Sequence, residues 1–243
     1  MARSLFQGLL DGLWSGTEFV AALGRSASDG LPRGDRSGVL LVPGLWGGEN
    51  SLFVLRRDLA HLGYDARTWE LGINNRCGDD TVASLIEVAR RHRGRHQRPL
   101  ALIGHSRGGF MAREVARRAP DLTDLVLTLG TPVGSTGLAN ASMPVQAMLM
   151  ISRMMFSRRP RCMTDRCECD YVRNVGASLP QTVAAYSLWS RDDGVVVPEN
   201  CVRSGEPNIE VPGNHFGMVV NRDVFRLIAT ILARHRAPAA PPP

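Results

Sequence analysis

The chain has 243 residues, enough to bury a sizeable core, and its simplest organisation is one α/β domain with a modest insertion. The formal charge is +6, and all 29 basic residues are arginine. No apolar run approaches the ~20 residues of a membrane-spanning helix, so we expect no transmembrane segment. The densest basic run, residues 90–98, lacks interleaved aromatic residues, which favours a solvated loop over a functional basic patch and argues against a nucleic-acid partner.

Residues 1–36 predict an N-terminal amphipathic helix followed by a linker. Apolar residues recur there at helical spacing, namely Phe6, Leu9, Leu10, Leu13 and Trp14. Glycines and polar residues interrupt any secretion-signal core, which favours a cytoplasmic location, with a periplasmic or secreted protein as the alternative. The helix either docks on the domain or associates weakly with a membrane surface.

The five cysteines leave the redox compartment open. Cys162, Cys167 and Cys169 form a cluster, whereas Cys77 and Cys201 stand alone in the sequence. The paired C-x-x-C spacing of a zinc ribbon is missing. Free thiols and a disulfide that involves the cluster are therefore the two main interpretations, ahead of a structural metal.

The core begins with Val39 to Val42, a continuous apolar run suited to a strand that is covered on both faces. A glycine-rich loop, Pro43 to Gly48, follows it. Such a loop can point backbone N–H groups into a cavity, as an oxyanion hole requires. We predict that Leu45 is one oxyanion donor and that Trp46 forms the neighbouring wall; a tight turn without a function is the alternative.

Helix and strand patterns alternate over the next 50 residues. They predict a helix from Ser51 to Leu62, a strand from Tyr64 to Trp69, and a helix that Asp79 or Asp80 caps. Alternation of this kind is typical of a parallel sheet with helices on both faces.

The following segment places a serine between a strand and a helix. Apolar residues from Leu100 to Ile103 lead into Gly-His-Ser-Arg-Gly-Gly, and residues 110–116 suit a helix. A turn sharp enough to expose the Ser106 hydroxyl brings the two backbones close together, so it needs glycines on both sides. This context favours Ser106 as a nucleophile over a plain glycine-rich turn, and it makes the N–H of Arg107 the second oxyanion donor.

Beyond a strand at residues 122–129, the alternation lapses between residues 133 and 180. Six methionines lie in this stretch: Met143, Met148, Met150, Met154, Met155 and Met163. Because methionine is flexible and apolar, we predict a cap or lid insertion that lines an acyl pocket; core helices with incidental methionines are the alternative. The predicted pocket residues are Met148, Trp46 and Phe216.

Two later strand ends supply an acid and a base. A nucleophilic serine needs a histidine base, and the histidine needs a carboxylate to hold it in the correct tautomer. Asp192 and Asp193 follow one strand, and His215 follows the last strand. Of the six histidines, His215 alone lies in a strand-end loop downstream of an acid. We therefore predict a catalytic set of Ser106, His215 and one of the two aspartates.

A final helix at residues 221–234 closes the domain, residues 37–236, and residues 237–243 form a proline-rich tail that we expect to be disordered.

The sequence motifs described above resemble those of the α/β-hydrolase superfamily, and within it the bacterial serine esterases and lipases. The resemblance covers about residues 39–232 and rests on Val42-Pro43-Gly44, Gly104 to Gly109, Thr128 to Pro132, Asp193 to Pro198 and Gly213-Asn214-His215.

In that superfamily the acid is commonly followed by one residue, two valines and a nearby proline, which favours Asp193 over Asp192. A His-Gly pair is common where this chain has Pro43-Gly44, so the oxyanion loop departs from the usual pattern.

The resemblance implies the α/β-hydrolase fold, a mostly parallel central sheet flanked by helices. It also implies a serine carboxylic-ester hydrolase that acts on small-molecule or lipid acyl esters through an acyl-enzyme, without a metal or organic cofactor. An acyltransferase, an amidase or a polyester hydrolase with the same triad is an alternative. So is a binding protein of this fold that lacks turnover. An epoxide or halide hydrolase is disfavoured, because it would carry a carboxylate where Ser106 stands.

Overall fold

A computed structural model describes residues 30–134, 150–151 and 168–237. Within them, six parallel strands form one sheet in the order β2-β1-β3-β4-β5-β6, which confirms the predicted parallel sheet. The strands are β1 (Gly38–Val42), β2 (Asp65–Thr68), β3 (Leu100–His105), β4 (Thr123–Leu129), β5 (Ala184–Trp189) and β6 (Asn208–Glu210).

Helices of the described residues cover both faces of the sheet. They are α1 (Phe53–Leu62), α2 (Gly78–Arg93), α3 (Arg107–Arg118), α4 (Asp170–Arg173) and α5 (Arg222–Arg236). Short 3₁₀ turns occupy Glu49–Leu52, Pro198–Cys201 and Gly217–Val219. The loops that follow the strands therefore meet at the carboxyl edge of the sheet, where a parallel sheet of this kind places its ligand site.

Strand β1 is buried on both faces, as its continuous apolar run predicts. Val39 and Leu41 belong to the core beneath α1 and α5, whereas Leu40 and Val42 belong to the core beneath α2 and α3. Successive side chains of a strand point to opposite faces, so one apolar run serves both cores.

Helix α2 differs from the sequence-based expectation at its start. Cys77 precedes it as the N-cap without a side-chain cap bond, so the predicted capping by Asp79 or Asp80 is wrong. Asp79 instead accepts hydrogen bonds from the backbone N–H groups of Asp170 (3.1 Å) and Tyr171 (3.0 Å). Its carboxylate thus stabilises the start of α4, more than 80 residues away in the chain.

Helix α2 also extends further than expected. It runs through Arg93, so residues 90–93 of the basic run are helical rather than part of a solvated loop. His92 in its last turn is buried, with 3% of its surface exposed. The loop that contains His96 begins at Gly94 and leads to β3.

Several predictions fall outside the described residues. These are the N-terminal helix up to residue 29, most of the methionine-rich insertion with Met148, the thiols of Cys162 and Cys167, and the tail from residue 238. Met150 and Ile151, which are described, are helical and exposed. Among the described residues, none of the helices has the length and apolar character that a bilayer-crossing segment needs.

Candidate active site

Ser106 lies at a sharp turn between β3 and α3. Its backbone has φ 52° and ψ −124°, a left-handed conformation that is unusual for a residue with a side chain. A Cβ atom on Gly104 would lie 2.4 Å from the Gly108 carbonyl oxygen, and one on Gly108 would lie 2.2 Å from the Val42 carbonyl oxygen. The turn therefore requires glycine at both positions, as the strand-turn-helix pattern predicts.

The end of β4 holds this turn in place. The Ser106 N–H donates to the Leu129 carbonyl (2.8 Å), and the buried Thr131 hydroxyl donates to the Ser106 carbonyl (2.7 Å). A Cβ on Gly109 would lie only 2.0 Å from Thr131 Oγ1. The Thr-Leu-Gly-Thr-Pro motif thus supports the strained serine backbone from the neighbouring strand.

His215 and Asp193 form a buried pair at the same edge of the sheet. Nδ1 of His215 lies 2.7 Å from Oδ2 of Asp193, and the two side chains are 2% and 1% exposed. The other carboxylate oxygen accepts the backbone N–H groups of Val195 (2.9 Å) and Val196 (2.7 Å). These bonds fix the carboxylate and direct Oδ2 at the imidazole. Asp192, by contrast, is exposed.

Gly130 lies directly against the His215–Asp193 pair. It adopts φ 55°, and a Cβ there would lie 3.1 Å from both Asp193 Oδ2 and His215 Nδ1, and 2.8 Å from the Met218 methyl group. Because Gly130 has no side chain, the end of β4 can approach the His215–Asp193 pair. The residues on either side of it, Leu129 and Thr131, bond to the Ser106 backbone.

His105 connects the serine turn to the His215 loop, a contact that the sequence analysis does not anticipate. Its Nε2 lies 2.8 Å from the His215 carbonyl oxygen, and the two rings are 4.8 Å apart. Burial, reinforced by the neighbouring His215, lowers the pKa of His105 to about 3. The ring is therefore neutral near pH 7, and Nε2–H donates to the carbonyl because that oxygen can only accept.

The loop after β1 approaches the serine closely. A Cβ on Gly44 would lie 3.2 Å from Ser106 Cβ, so the backbone at Gly44, the residue before Leu45, passes beside the nucleophile. The Trp46 N–H donates to the Asn74 carbonyl (2.9 Å), whereas no described residue accepts the N–H of Leu45. The N–H of Arg107 opens α3 and has no partner within the helix. Among the described residues, neither of these two N–H groups, the predicted oxyanion donors, thus has an acceptor.

Asn74 holds this loop in place, and no sequence pattern predicts that role. The residue is fully buried, and its side-chain amide donates to the Pro43 carbonyl (2.7 Å). Its backbone N–H donates to the Gly47 carbonyl (2.9 Å), and its side-chain oxygen accepts from the Arg107 guanidinium. That guanidinium is directed at the loop of Asn74 and away from solvent, so its role is structural. A polar residue in a long loop gives no local signal of such contacts.

Two of the three predicted pocket residues lie among the described ones. The Phe216 ring meets the His215 ring edge-on at 5.3 Å, and Phe216 is 42% exposed. Trp46 is partly buried and has a positive φ of 61° within the loop that follows β1. Met148 lies outside the described residues.

The described cysteines are buried. The sulfurs of Cys77 and Cys169 lie 3.3 Å apart, in contact but well beyond the ~2.05 Å of a disulfide bond. Burial raises the pKa of the Cys201 thiol, so this group is protonated and unreactive near pH 7.

No protein-family model matches the sequence, and none of the curated proteins matches it. Solved structures do resemble the chain. The mature form of a Bacillus licheniformis lipase superposes with a TM-score of 0.61 and 17% identity over 83% of this chain and 94% of that one. A monoglyceride lipase from Saccharomyces cerevisiae gives 0.59 and 14% identity over 86% and 91%. Polyneuridine aldehyde esterase gives 0.53 and 13% over 84% and 100%. At such low identities the likeness is one of fold.

Proposed function

The chain has the α/β-hydrolase fold, and from that premise we propose that it is a serine carboxylic-ester hydrolase with Ser106, His215 and Asp193 as its catalytic triad. The observation that carries the proposal is the buried His215–Asp193 pair, 2.7 Å apart, on a loop bonded to the residue that precedes the strained Ser106. A serine needs a base that an acid orients before its hydroxyl can attack a carbonyl, and the His215–Asp193 pair supports His215 as that base.

The reaction follows from the roles of these groups. His215 takes the proton of Ser106 through Nε2 while the serine oxygen attacks the ester carbonyl, and Asp193 stabilises the imidazolium through Nδ1–H. The N–H groups of Leu45 and Arg107 hold the negative oxygen of the tetrahedral intermediate. His215 then protonates the departing alcohol, and an acyl-serine remains. Water attacks that ester by the same steps in reverse, which releases the acid and restores Ser106.

The fixed geometry of the oxyanion loop supports this mechanism. Asn74 joins the loop after β1 to the start of α3 through its amide and carbonyl groups, so the two proposed donors belong to one hydrogen-bonded unit. Donors that are already oriented need no rearrangement when charge develops on the substrate oxygen, and this is the main source of their effect on rate.

An acyl ester suits the surroundings of the triad. The exposed Phe216 ring beside His215 and the partly buried Trp46 offer apolar surface for an acyl chain. Of the three similar structures described above, two are lipases and one is an esterase, which supports ester cleavage. We therefore propose small-molecule or lipid acyl esters as the substrate class.

A panel of p-nitrophenyl esters from acetate to palmitate tests the proposal. We expect hydrolysis by the wild-type chain, loss of nearly all covalent turnover in Ser106→Ala, and fluorophosphonate labelling of the wild type alone. Ser84→Ala is the matched control, because Ser84 is exposed on α2 and should be dispensable. A folded wild-type protein that neither labels nor hydrolyses an ester of any chain length would contradict the proposal.

A further inference from the structure

A second cluster of side chains that could bind a ligand lies at the amino ends of the strands, whereas Ser106 lies at their carboxyl ends. Asp65 begins β2, His92 belongs to the last turn of α2, and His96 follows in the loop that leads to β3. One ligand atom from each residue lies within 4.8 Å of the other two. Oδ2 of Asp65 is 3.4 Å from Nε2 of His92 and 3.2 Å from Nε2 of His96.

Both imidazole nitrogens that face the carboxylate are buried without a hydrogen-bond partner among the described residues. The His92 side chain is 2% exposed and the His96 side chain 12%. A buried polar nitrogen that lacks a partner costs free energy, and native proteins usually satisfy it with a protein group, a water or an ion. Two such nitrogens aimed at one carboxylate oxygen point to an ion between them.

The two distances from the carboxylate oxygen to the imidazole nitrogens fit a tetrahedral metal. Zinc binds imidazole nitrogen and carboxylate oxygen at about 2.0–2.2 Å, and tetrahedral angles then place neighbouring ligand atoms roughly 3.3–3.5 Å apart. The distances from Asp65 Oδ2 to the two nitrogens, 3.4 Å and 3.2 Å, match this separation. We propose that Asp65, His92 and His96 bind a divalent transition metal, Zn²⁺ by preference, with water in the fourth position.

The surrounding residues suit this assignment. The Arg67 guanidinium lies 3.2 Å from Oδ1 and 3.5 Å from Oδ2 of Asp65, so it holds the carboxylate in place beside the two histidines. A Cβ on Gly38 would lie 2.7–2.9 Å from the His96 ring, so β1 packs directly against this ligand. Two imidazoles and one carboxylate favour zinc over magnesium or calcium, which prefer sites made of oxygen alone.

The position of the site indicates that the ion stabilises the fold. It lies at the amino ends of the strands, whereas Ser106 lies at the carboxyl ends, so the ion takes no part in the proposed ester hydrolysis. It would instead join the edge strand β2 to the loop that connects α2 with β3. Its effect is therefore on stability rather than on turnover.

Cobalt spectroscopy tests the proposal on the full chain. After dialysis against a chelator, one equivalent of Co²⁺ should give the visible bands of a tetrahedral nitrogen and oxygen site, without the intense near-ultraviolet absorption of a cobalt thiolate. Zn²⁺ should displace the cobalt. His96→Gln and Asp65→Asn should each lose these bands, whereas His61→Gln, at an exposed histidine of α1, should keep them.

Stability and activity provide the accompanying measurements. With free Zn²⁺ at 100 times its dissociation constant, the melting temperature of the wild type should rise by roughly 5–10 °C, and that of His96→Gln should not change. Metal-free His96→Gln must melt cooperatively for the comparison to count, and Asp65→Asn is the second variant if it does not. Bands that survive both substitutions, a thiolate spectrum, or equal zinc shifts in wild type and variants would overturn the proposal. Ester hydrolysis is measured separately and should persist in His96→Gln.

Discussion

Replacing Asp193 with asparagine tests the proposed triad without changing the shape of the site. In the structure, Oδ1 accepts the N–H groups of Val195 and Val196, and Oδ2 faces His215 Nδ1. An amide nitrogen cannot accept a hydrogen bond, so in Asp193→Asn the side-chain oxygen keeps the two backbone bonds and the NH₂ group faces the imidazole. His215 must then carry its proton on Nε2, where it can no longer take the proton of Ser106.

The wrong tautomer and the missing charge act together on the rate. A substitution of this kind typically lowers kcat by ~10⁴-fold in a serine hydrolase, which corresponds to about 5.4 kcal/mol of transition-state stabilisation. Hydrolysis of a p-nitrophenyl ester and the rate of fluorophosphonate labelling should fall together, while the melting temperature changes little because the backbone bonds remain.

Asp192→Asn provides the matched control, since that side chain is exposed and adjacent in sequence. Its activity should stay within about 2-fold of the wild type, as is usual for surface substitutions. The reasoning is refuted if Asp193→Asn keeps more than a tenth of the wild-type activity while Ser106→Ala keeps none, because another group must then orient His215.

Three further outcomes follow from the geometry. The pKa of His105 is lowered to about 3 in the folded chain, against 6.5 in the unfolded chain, so the unfolded state binds an extra proton between these values. Below pH 6.5 the titration of His105 should therefore lower the free energy of unfolding by about 1.4 kcal/mol per pH unit, and urea titrations should show that His105→Gln reduces the slope by this amount. Gly109→Ala places a methyl group 2.0 Å from the buried Thr131 hydroxyl and should cost about 1–3 kcal/mol or more by overpacking, whereas Gly48→Ala, with 3.6 Å to its nearest neighbour, should be tolerated in the same unfolding assay. Leu45→Ala retains the backbone N–H that is proposed to hold the oxyanion, so kcat should fall less than the ~10²-fold expected for the loss of a donor, and a larger loss would show that the Leu45 side chain itself contributes to catalysis.

Local sequence patterns were sufficient to predict the strands and the turn. The apolar run of β1 follows from its burial on both faces of the sheet. The glycines on both sides of Ser106 follow from the close contact of two backbones at the turn. The order of nucleophile, acid and base along the chain also follows from strand-end positions alone. The structure brings Asp193 rather than Asp192 to His215, as the Asp-Gly-Val-Val motif favours.

Contacts between distant segments were not predictable in this way. Asn74 bonds to the Pro43 carbonyl across 31 residues, and His105 approaches the His215 carbonyl across 110. Asp79 resembles a cap for its own helix, yet it bonds to α4 because tertiary packing presents two unpaired N–H groups there. Such partners depend on how the elements pack, and the neighbouring sequence does not predict them.

His105 links the proposed base to the strand of the nucleophile. Strand β3 ends in His105, whose ring bonds to the His215 backbone, and the next residue is Ser106 itself. The loop of His215 follows β6, and Asp193 follows β5, which pairs with β6 in the sheet. The acid and the base therefore extend from neighbouring strands and meet through the 2.7 Å contact, whereas β4 and β5 separate the strand of the nucleophile from β6. The alignment of Ser106 with His215 is consequently the part of the proposed triad that depends most on the packing of the strands, and the His105 contact spans this gap.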